Sequence, residues 1–237
     1  IRWYALAYLA GFLLGWKYIN YLITKHPEHP KPDKTNIEDF VPWAVLGVIL
    51  GGRIGYTLFY KSTYYLANPS EIFHIWQGGM SFHGGFIGVI LAFIGFAKLN
   101  KIPLLHVADI GAMTASLGIM LGRLANFING ELWGRPTDAP WAFVFPGAGD
   151  LPRHPSQLYE AALEGLVLFL VLRVLTHSKG ALQSPGLITG VFLIGYGCAR
   201  SFSELFRQFD VQHAFSAYGL TPGIVYSIPM VLLGIWF

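Results

Sequence analysis

Charge is scarce in this sequence of 237 residues: Asp, Glu, Lys and Arg make up 12% of it, about half the roughly 25% usual for a soluble domain. There is one cysteine, Cys198. No disulfide can therefore staple the chain, and Cys198, inside an apolar stretch, reads as a packing residue. No Gly-x-Ser-x-Gly elbow, His-Glu-x-x-His pair or cysteine–histidine cluster at zinc spacing occurs, which argues against a serine-elbow hydrolase, a zincin and a structural zinc site. Neither metal nor cofactor is expected. The net charge of +3 and pI near 8.9 are not gathered into a basic run with interleaved aromatics, so nucleic acid is not an expected partner. No internal repeat is evident.

What the sequence has in excess is apolar length. Hydrophobic residues make up 54%, with a mean hydropathy of +0.49, and they gather in stretches near the roughly 20 residues that span a bilayer's hydrocarbon. Seven windows qualify, at about residues 3–23, 40–60, 82–97, 103–127, 157–175, 186–206 and 221–237. The expected architecture is an all-α integral membrane protein: one transmembrane domain over residues 1–237 of about seven transmembrane helices, with outer-side loops and short helices over a site at lipid-headgroup level. The chain opens at Ile1 already close to its first span, so a short upstream segment is expected. The first window is too long for a cleavable signal peptide and lacks a small-residue cleavage site.

Lysines sort by connection. Lys17, Lys25, Lys31, Lys34, Lys98, Lys101 and Lys179 fall on the side of the first, third and fifth connections, and only Lys61 falls opposite. The positive-inside rule then places those connections in the cytoplasm, the N-terminus outside and the C-terminus inside. The His26–Asp39 stretch, rich in Pro, Lys and acids, becomes a cytoplasmic loop. The longer aromatic and Gly/Pro-rich connections, 61–81 and 130–156, fall on the outer side, and loops of that length are more often functional than idle. The arginines do not follow the lysines: Arg135, Arg153 and Arg207 lie in or at the edges of outer-side connections, and Arg123 and Arg200 within or at the ends of spans.

The outer ends of three spans carry the polar residues. His83 sits at a boundary among Gly78, Gly79, Gly84 and Gly85, and reads either as a chemical group or as a hydrogen-bonded structural one. Arg123 and Asn126 share a helical face, with Asn129 a turn further, ahead of Glu131 and Gly134. An arginine in an apolar setting needs a partner: a ligand, or an internal bridge to Glu131 or Glu204. Tyr196, Arg200 and Glu204 form one stripe at i, i+4 and i+8, where Arg200 and Glu204 can equally pair and close a bundle. Guanidinium binds phosphate through a planar fork, so two arginines near a histidine at headgroup level suggest a phospholipid substrate. His154 reads as structural, Ser156 or Gln157 as a helix cap with Glu160 near the first turn, and Arg53 as a buried ion-pair partner.

Taken in order, Trp3-Tyr4, Gly51 to Tyr56, Met80 to Gly85, Gly122 to Arg135, Arg153 to Glu160 and Gly195 to Asp210 resemble the bacterial prolipoprotein diacylglyceryl transferases over nearly the whole chain. The block Gly-Arg-Leu-Ala-Asn-Phe-Ile-Asn-Gly-Glu from Gly122 is the most specific element. Phe209 stands where family members often carry Pro. The resemblance implies a multi-pass enzyme of the bacterial cytoplasmic (inner) membrane that acts among membrane lipids. Its implied reaction transfers the diacylglyceryl group of phosphatidylglycerol to the lipobox cysteine in a prolipoprotein signal peptide, forming a thioether and releasing glycerol phosphate. It also marks Tyr4, His83, Arg123, Asn126, Glu131, Gly134, Tyr196, Arg200 and Glu204 as important positions.

The roles then follow from chemistry. His83 is the expected base for the thiol. Arg123 and Arg200 are expected on the phosphodiester, with Glu204 and Glu131 orienting the guanidinium groups and Asn126, Asn129 and Tyr196 on the headgroup glycerol. Two rivals stand beside this reading. A transporter would move solute without lipid turnover, but neither repeated halves nor a midplane site is evident; a non-catalytic lipid-binding protein would bind lipid without forming product.

Overall fold

The structure is a computed structural model that describes residues 3–25, 32–208 and 220–237. Part of the expected His26–Asp39 loop, with Lys31, and the Phe209 and Asp210 positions of the resemblance lie outside the described residues. Every regular element among the described residues is helical. Extended pairing occurs only as isolated antiparallel bridges, Gly134 with Arg207, and Arg153 with both Pro136 and Phe143.

Each of the seven apolar windows falls on a helix. The helices are α1 (Trp3–Lys25), α2 (Lys34–Phe59), the short α3 (Ser62–Ala67), α4 (Phe82–Leu99), α5 (Leu104–Asn129), α6 (Ser156–Glu160), α7 (Leu168–Lys179), α8 (Leu187–Ser203) and α9 (Pro222–Trp236). Lys34–Phe59 and Leu104–Asn129 are long and apolar enough to cross a membrane. The second helix starts earlier than its window because Asp33 caps it: the Asp33 carboxylate accepts from the Asn36 amide at 2.8 Å, and the Asn36 side chain accepts from the Asp33 N–H at 3.1 Å. Such reciprocal caps satisfy donors that a helix start otherwise leaves open.

The chain packs as two units. In residues 23–108, α2 and α4 meet along a seam of glycines. A Cβ on Gly51 would lie 2.4 Å from the Gly84 carbonyl oxygen, and one on Gly88 would lie 2.0 Å from that of Gly47. Only hydrogen fits there, and close backbone approach is how apolar helices attract each other when burial from water gives no driving force. Phe96, Ala97, Ile102 and Val107, with Phe40 and Phe93, close the other end of the pair. Arg53 of α2 is buried, and its partners are backbone carbonyls of residues 71–79. The expected ion pair is thus replaced by carbonyl dipoles, because the loop after α3 folds back over the guanidinium.

In residues 1–22 with 109–237, Leu22, Met113, Leu168, Leu172 and Ile188 form the buried core. The buried Asp109 carboxylate caps α8, accepting from the N–H groups of Gly186 (2.8 Å) and Thr189 (2.7 Å) and from the Thr189 hydroxyl (2.6 Å). A negative charge at a helix N-terminus is favoured by the peptide dipoles. Between α6 and α7 the helix continues as a π-helical stretch, Ala161–Val167.

The seam yields a stability test. Gly88→Val forces backbone apart and should cost about 1–3 kcal/mol or more through overpacking, read as a lower melting temperature in detergent. Gly85→Ala, whose Cβ would come no closer than 3.5 Å to a neighbour, should melt as the parent protein does.

Candidate active site

The second unit brings three arginines and three glutamates together. Glu160 is at their centre: its Oε1 lies 2.6 Å from Arg200 Nη1 and 2.8 Å from Arg207 Nη1, and its Oε2 lies 3.0 Å from Arg123 Nε. Glu164 stands 3.5 Å from Arg123 Nη2 and 3.7 Å from Arg200 Nη1. Glu204 pairs with Arg200 and lies 3.4 Å from Arg207 Nε. The carboxylates of Glu160 and Glu164 are wholly buried, while the three guanidinium side chains keep 15–19% of their surface. Formal charge balances at three of each sign, which is what burial demands of ionised groups.

Helix placement explains the convergence. Arg123 lies in the last two turns of α5, and Arg200 lies in the last turn of α8, where a cation complements the carbonyl end of the helix. Glu160 ends α6, and Glu164 follows inside the π-helical stretch. Its neighbour Gly165 lets this segment close on α5, since a Cβ there would lie 2.5 Å from that of Met120. Widened helical turns recur at functional sites. Glu204 is covered by α9 at Gly223, where a Cβ would lie 2.4 Å from the carboxyl carbon.

A second cluster joins α1 to the end of α5. The Tyr4 hydroxyl donates to Glu131 Oε2 at 3.0 Å and accepts from the Asn126 side-chain amide. Gly130, at φ +66°, ends α5, and the Glu131 N–H returns to the Asn126 carbonyl at 2.9 Å. The Glu131 carboxylate pairs with Tyr4 and not with a guanidinium, which corrects the orienting role expected of Glu131, and the internal bridge that stood as the alternative for Arg123 goes to Glu160 and Glu164 rather than to Glu131 or Glu204. Ser156 and Gln157 are not caps either. The Ser156 hydroxyl donates to the Leu132 carbonyl at 3.1 Å and the Gln157 amide to that of Glu131, so both hold the chain that follows α5.

Gly134 lies where that chain is squeezed. A Cβ there would fall 2.6 Å from the carbonyl oxygens of both His154 and Phe206. Its N–H donates to His154 O, and the Arg135 N–H donates to Phe206 O, each at 2.9 Å. This crossing seats Arg207 beside Glu160. His154 Nδ1 lies 3.1 Å from the Tyr159 hydroxyl, and its ring packs against Phe206. Arg153 and Arg135 bind loop carbonyls.

Of the residues expected at the site, Arg123, Arg200 and Glu204 share the ion cluster, and Tyr4, Asn126 and Glu131 share the second. Tyr196 is half-buried one turn before Arg200 and stacks on Phe192 at 5.9 Å. Asn129 is exposed at the end of α5. His83 is exposed on the first turn of α4, in the unit of residues 23–108. Glu164 and Arg207 were not anticipated, and Glu160 was read only as a first-turn acid. The signal for the two acids is their spacing, i and i+4 inside an apolar window.

The chain is thus a helical protein with membrane-length apolar helices and a largely buried, charge-balanced cluster of arginines and glutamates. The family model of prolipoprotein diacylglyceryl transferase matches residues 1–237, and the chain belongs to that family. Relatives named phosphatidylglycerol–prolipoprotein diacylglyceryl transferase include those of Methylocella silvestris (52% identical, covering 99% of this chain and 87% of the relative), Rhodopseudomonas palustris (52%, 99% and 84%) and Rhodospirillum rubrum (52%, 99% and 86%).

Two substitutions test the cluster. Glu160→Gln leaves the arginines short of their shared partner, and breaking a buried pair costs about 3–5 kcal/mol, so both melting temperature and activity should fall; an unchanged melt would remove Glu160 from its central place. Gly134→Ala should lower activity tenfold or more by displacing the segment that pairs with Arg207, which protease susceptibility near residues 134–154 would reveal.

Proposed function

We propose that this chain transfers the diacylglyceryl group of phosphatidylglycerol to the lipobox cysteine of a prolipoprotein, with the ion cluster as its phosphate site. The observation that carries this reading is that the glutamates fix the three guanidinium groups without using all their donors. Among the described residues, Arg123 Nη1, Arg200 Nε and Arg207 Nη2 make no hydrogen bond. Held partly exposed at helix ends, such donors suit a phosphodiester and the charge that grows on it as it leaves. Preorganisation by fixed carboxylates spares the reaction the work of orienting them.

The reaction is a displacement. The cysteine sulfur attacks the glycerol carbon that bears the phosphate, the C–S bond forms as the C–O bond breaks, and glycerol phosphate departs with the bonding pair. His83, in the unit of residues 23–108, is the acceptor proposed for the thiol proton. Tyr4, Asn126 and Glu131 form a polar shelf for the headgroup glycerol hydroxyls, with Asn129 beside it on α5 and Tyr196 one turn below Arg200. Gly134 keeps the shelf and Arg207 in register. The helical segments that carry the seven apolar windows are proposed as spans of one transmembrane domain in the inner membrane, N-terminus outside and C-terminus in the cytoplasm, as the lysine asymmetry supports. No cofactor enters the scheme.

The direct experiment mixes purified protein with phosphatidylglycerol and a lipobox peptide and follows the peptide's mass for the gain of one diacylglyceryl group. Lipid binding without product, or solute uptake without lipid turnover, would overturn the proposal. Arg123→Lys keeps charge but loses the fork that spans Glu160 and Glu164, so activity should fall by orders of magnitude in protein that still inserts. His83→Gln should lose about 10²–10⁴ in rate at neutral pH and regain part of it toward pH 9, because a free cysteine with pKa near 8.5 then supplies its own thiolate.

A further inference from the structure

Arg53 is buried in α2 at 3% exposure, and its guanidinium has five N–H donors. All five are spent on backbone. Nε donates to Ile72 O at 2.7 Å; Nη1 donates to Gly78 O at 2.6 Å and Gly79 O at 3.3 Å; Nη2 donates to Glu71 O at 2.6 Å and His74 O at 3.2 Å. The Tyr65 ring covers the group, 5.1 Å from its central carbon. The carboxylate of Glu71 instead takes the His74 ring at 3.0 Å. With no donor left over, Arg53 cannot hold a substrate, yet a buried charge without a carboxylate needs a reason.

The reason lies in what the loop leads to. Residues 71–79 are wrapped round the guanidinium and leave it through Gly78 and Gly79, at φ +85° and +82°, and a Cβ on Gly79 would strike the Tyr56 ring at 2.4 Å. The Ser81 N–H then donates to Gly52 O at 2.8 Å, on the residue next to Arg53. The Ser81 hydroxyl caps α4 at the Gly84 N–H, 3.1 Å away, and Gly84 seats that first turn on Gly51 and Gly55. His83 lies between the cap and the seat. Gly52 and Arg53 therefore fix the chain that delivers His83 from both directions.

We propose that Arg53 is a positioning residue for the transfer reaction, holding through five carbonyls the loop that sets where His83 stands. The inference rests on the reading of His83 as the thiol's base. Lysine, a point charge with three donors, cannot span carbonyls from residue 71 to residue 79, and a displacement of about 1 Å in a catalytic group costs on the order of 10²-fold.

The test compares Arg53→Lys, Arg53→Gln, His83→Gln and the Arg53→Gln/His83→Gln pair in full-length protein, with phosphatidylglycerol and a lipobox peptide as substrates. The Arg53 variants should insert and keep KM for phosphatidylglycerol within about twofold, while kcat falls about 10- to 100-fold. Their deficit should shrink toward pH 9, as that of His83→Gln does, and Arg53→Gln should add less than about twofold to the loss in the His83→Gln background, as groups acting through one another do. A loss carried by KM, a deficit independent of pH, or losses that multiply in the pair would overturn the role of Arg53 while leaving His83 as the base. Full activity in His83→Gln would instead overturn the base, and this inference with it. If the Arg53 variants do not insert, Ser81→Ala, which removes only the cap, must show the same kcat loss and recovery at high pH; a parent-like kcat there overturns the inference.

Discussion

One buried carboxylate holds the candidate site together. Glu160 touches the guanidinium groups of Arg123, Arg200 and Arg207 at 3.0, 2.6 and 2.8 Å, and those arginines come from the end of α5, the end of α8 and the chain beyond it. Removing one partner of a buried ion pair is costly, and sharing one carboxylate brings three separate segments to a single point. The other pieces depend on that meeting: Glu204 must fold under α9, Gly134 must stay bare so that Arg207 can reach in, and the π-helical stretch must present Glu164 behind Glu160.

The molecule encloses guanidinium in two ways. Arg53 saturates every donor with carbonyl dipoles, which leaves it a charge but no hand. Arg123 and Arg200 are balanced by carboxylates instead and keep part of their surface exposed. The residue type is the same in both; the nature of the partner and the exposure that remains, 3% for Arg53 against 15–19% in the cluster, tell them apart.

That partner is what sequence could not display. The helices were legible because bilayer-length apolar windows leave few alternatives, and Arg123, Arg200 and Glu204 stood out as charges in apolar stretches at helical spacing. The acids that neutralise Arg123 lie 37 and 41 residues further along, on a helix whose widened turn has no sequence signature, so a nearer glutamate, Glu131, was the natural but mistaken choice. A glycine at φ +66° was enough to turn Glu131 away to Tyr4. The partners of Arg53 were invisible for a simpler reason: backbone carbonyls are the same in every sequence.

The cap made by Asp109 has a mechanical consequence. Asp109, on α5, grips the start of α8 through Gly186 and Thr189, and Arg123, further along the same helix, is tied through Glu160 to Arg200 near the far end of α8. At about 1.5 Å per residue these two fastenings lie roughly 20 Å apart along one rod. A slide of α8 by even one turn would break both together, so the pair braces α8 against axial shear along α5.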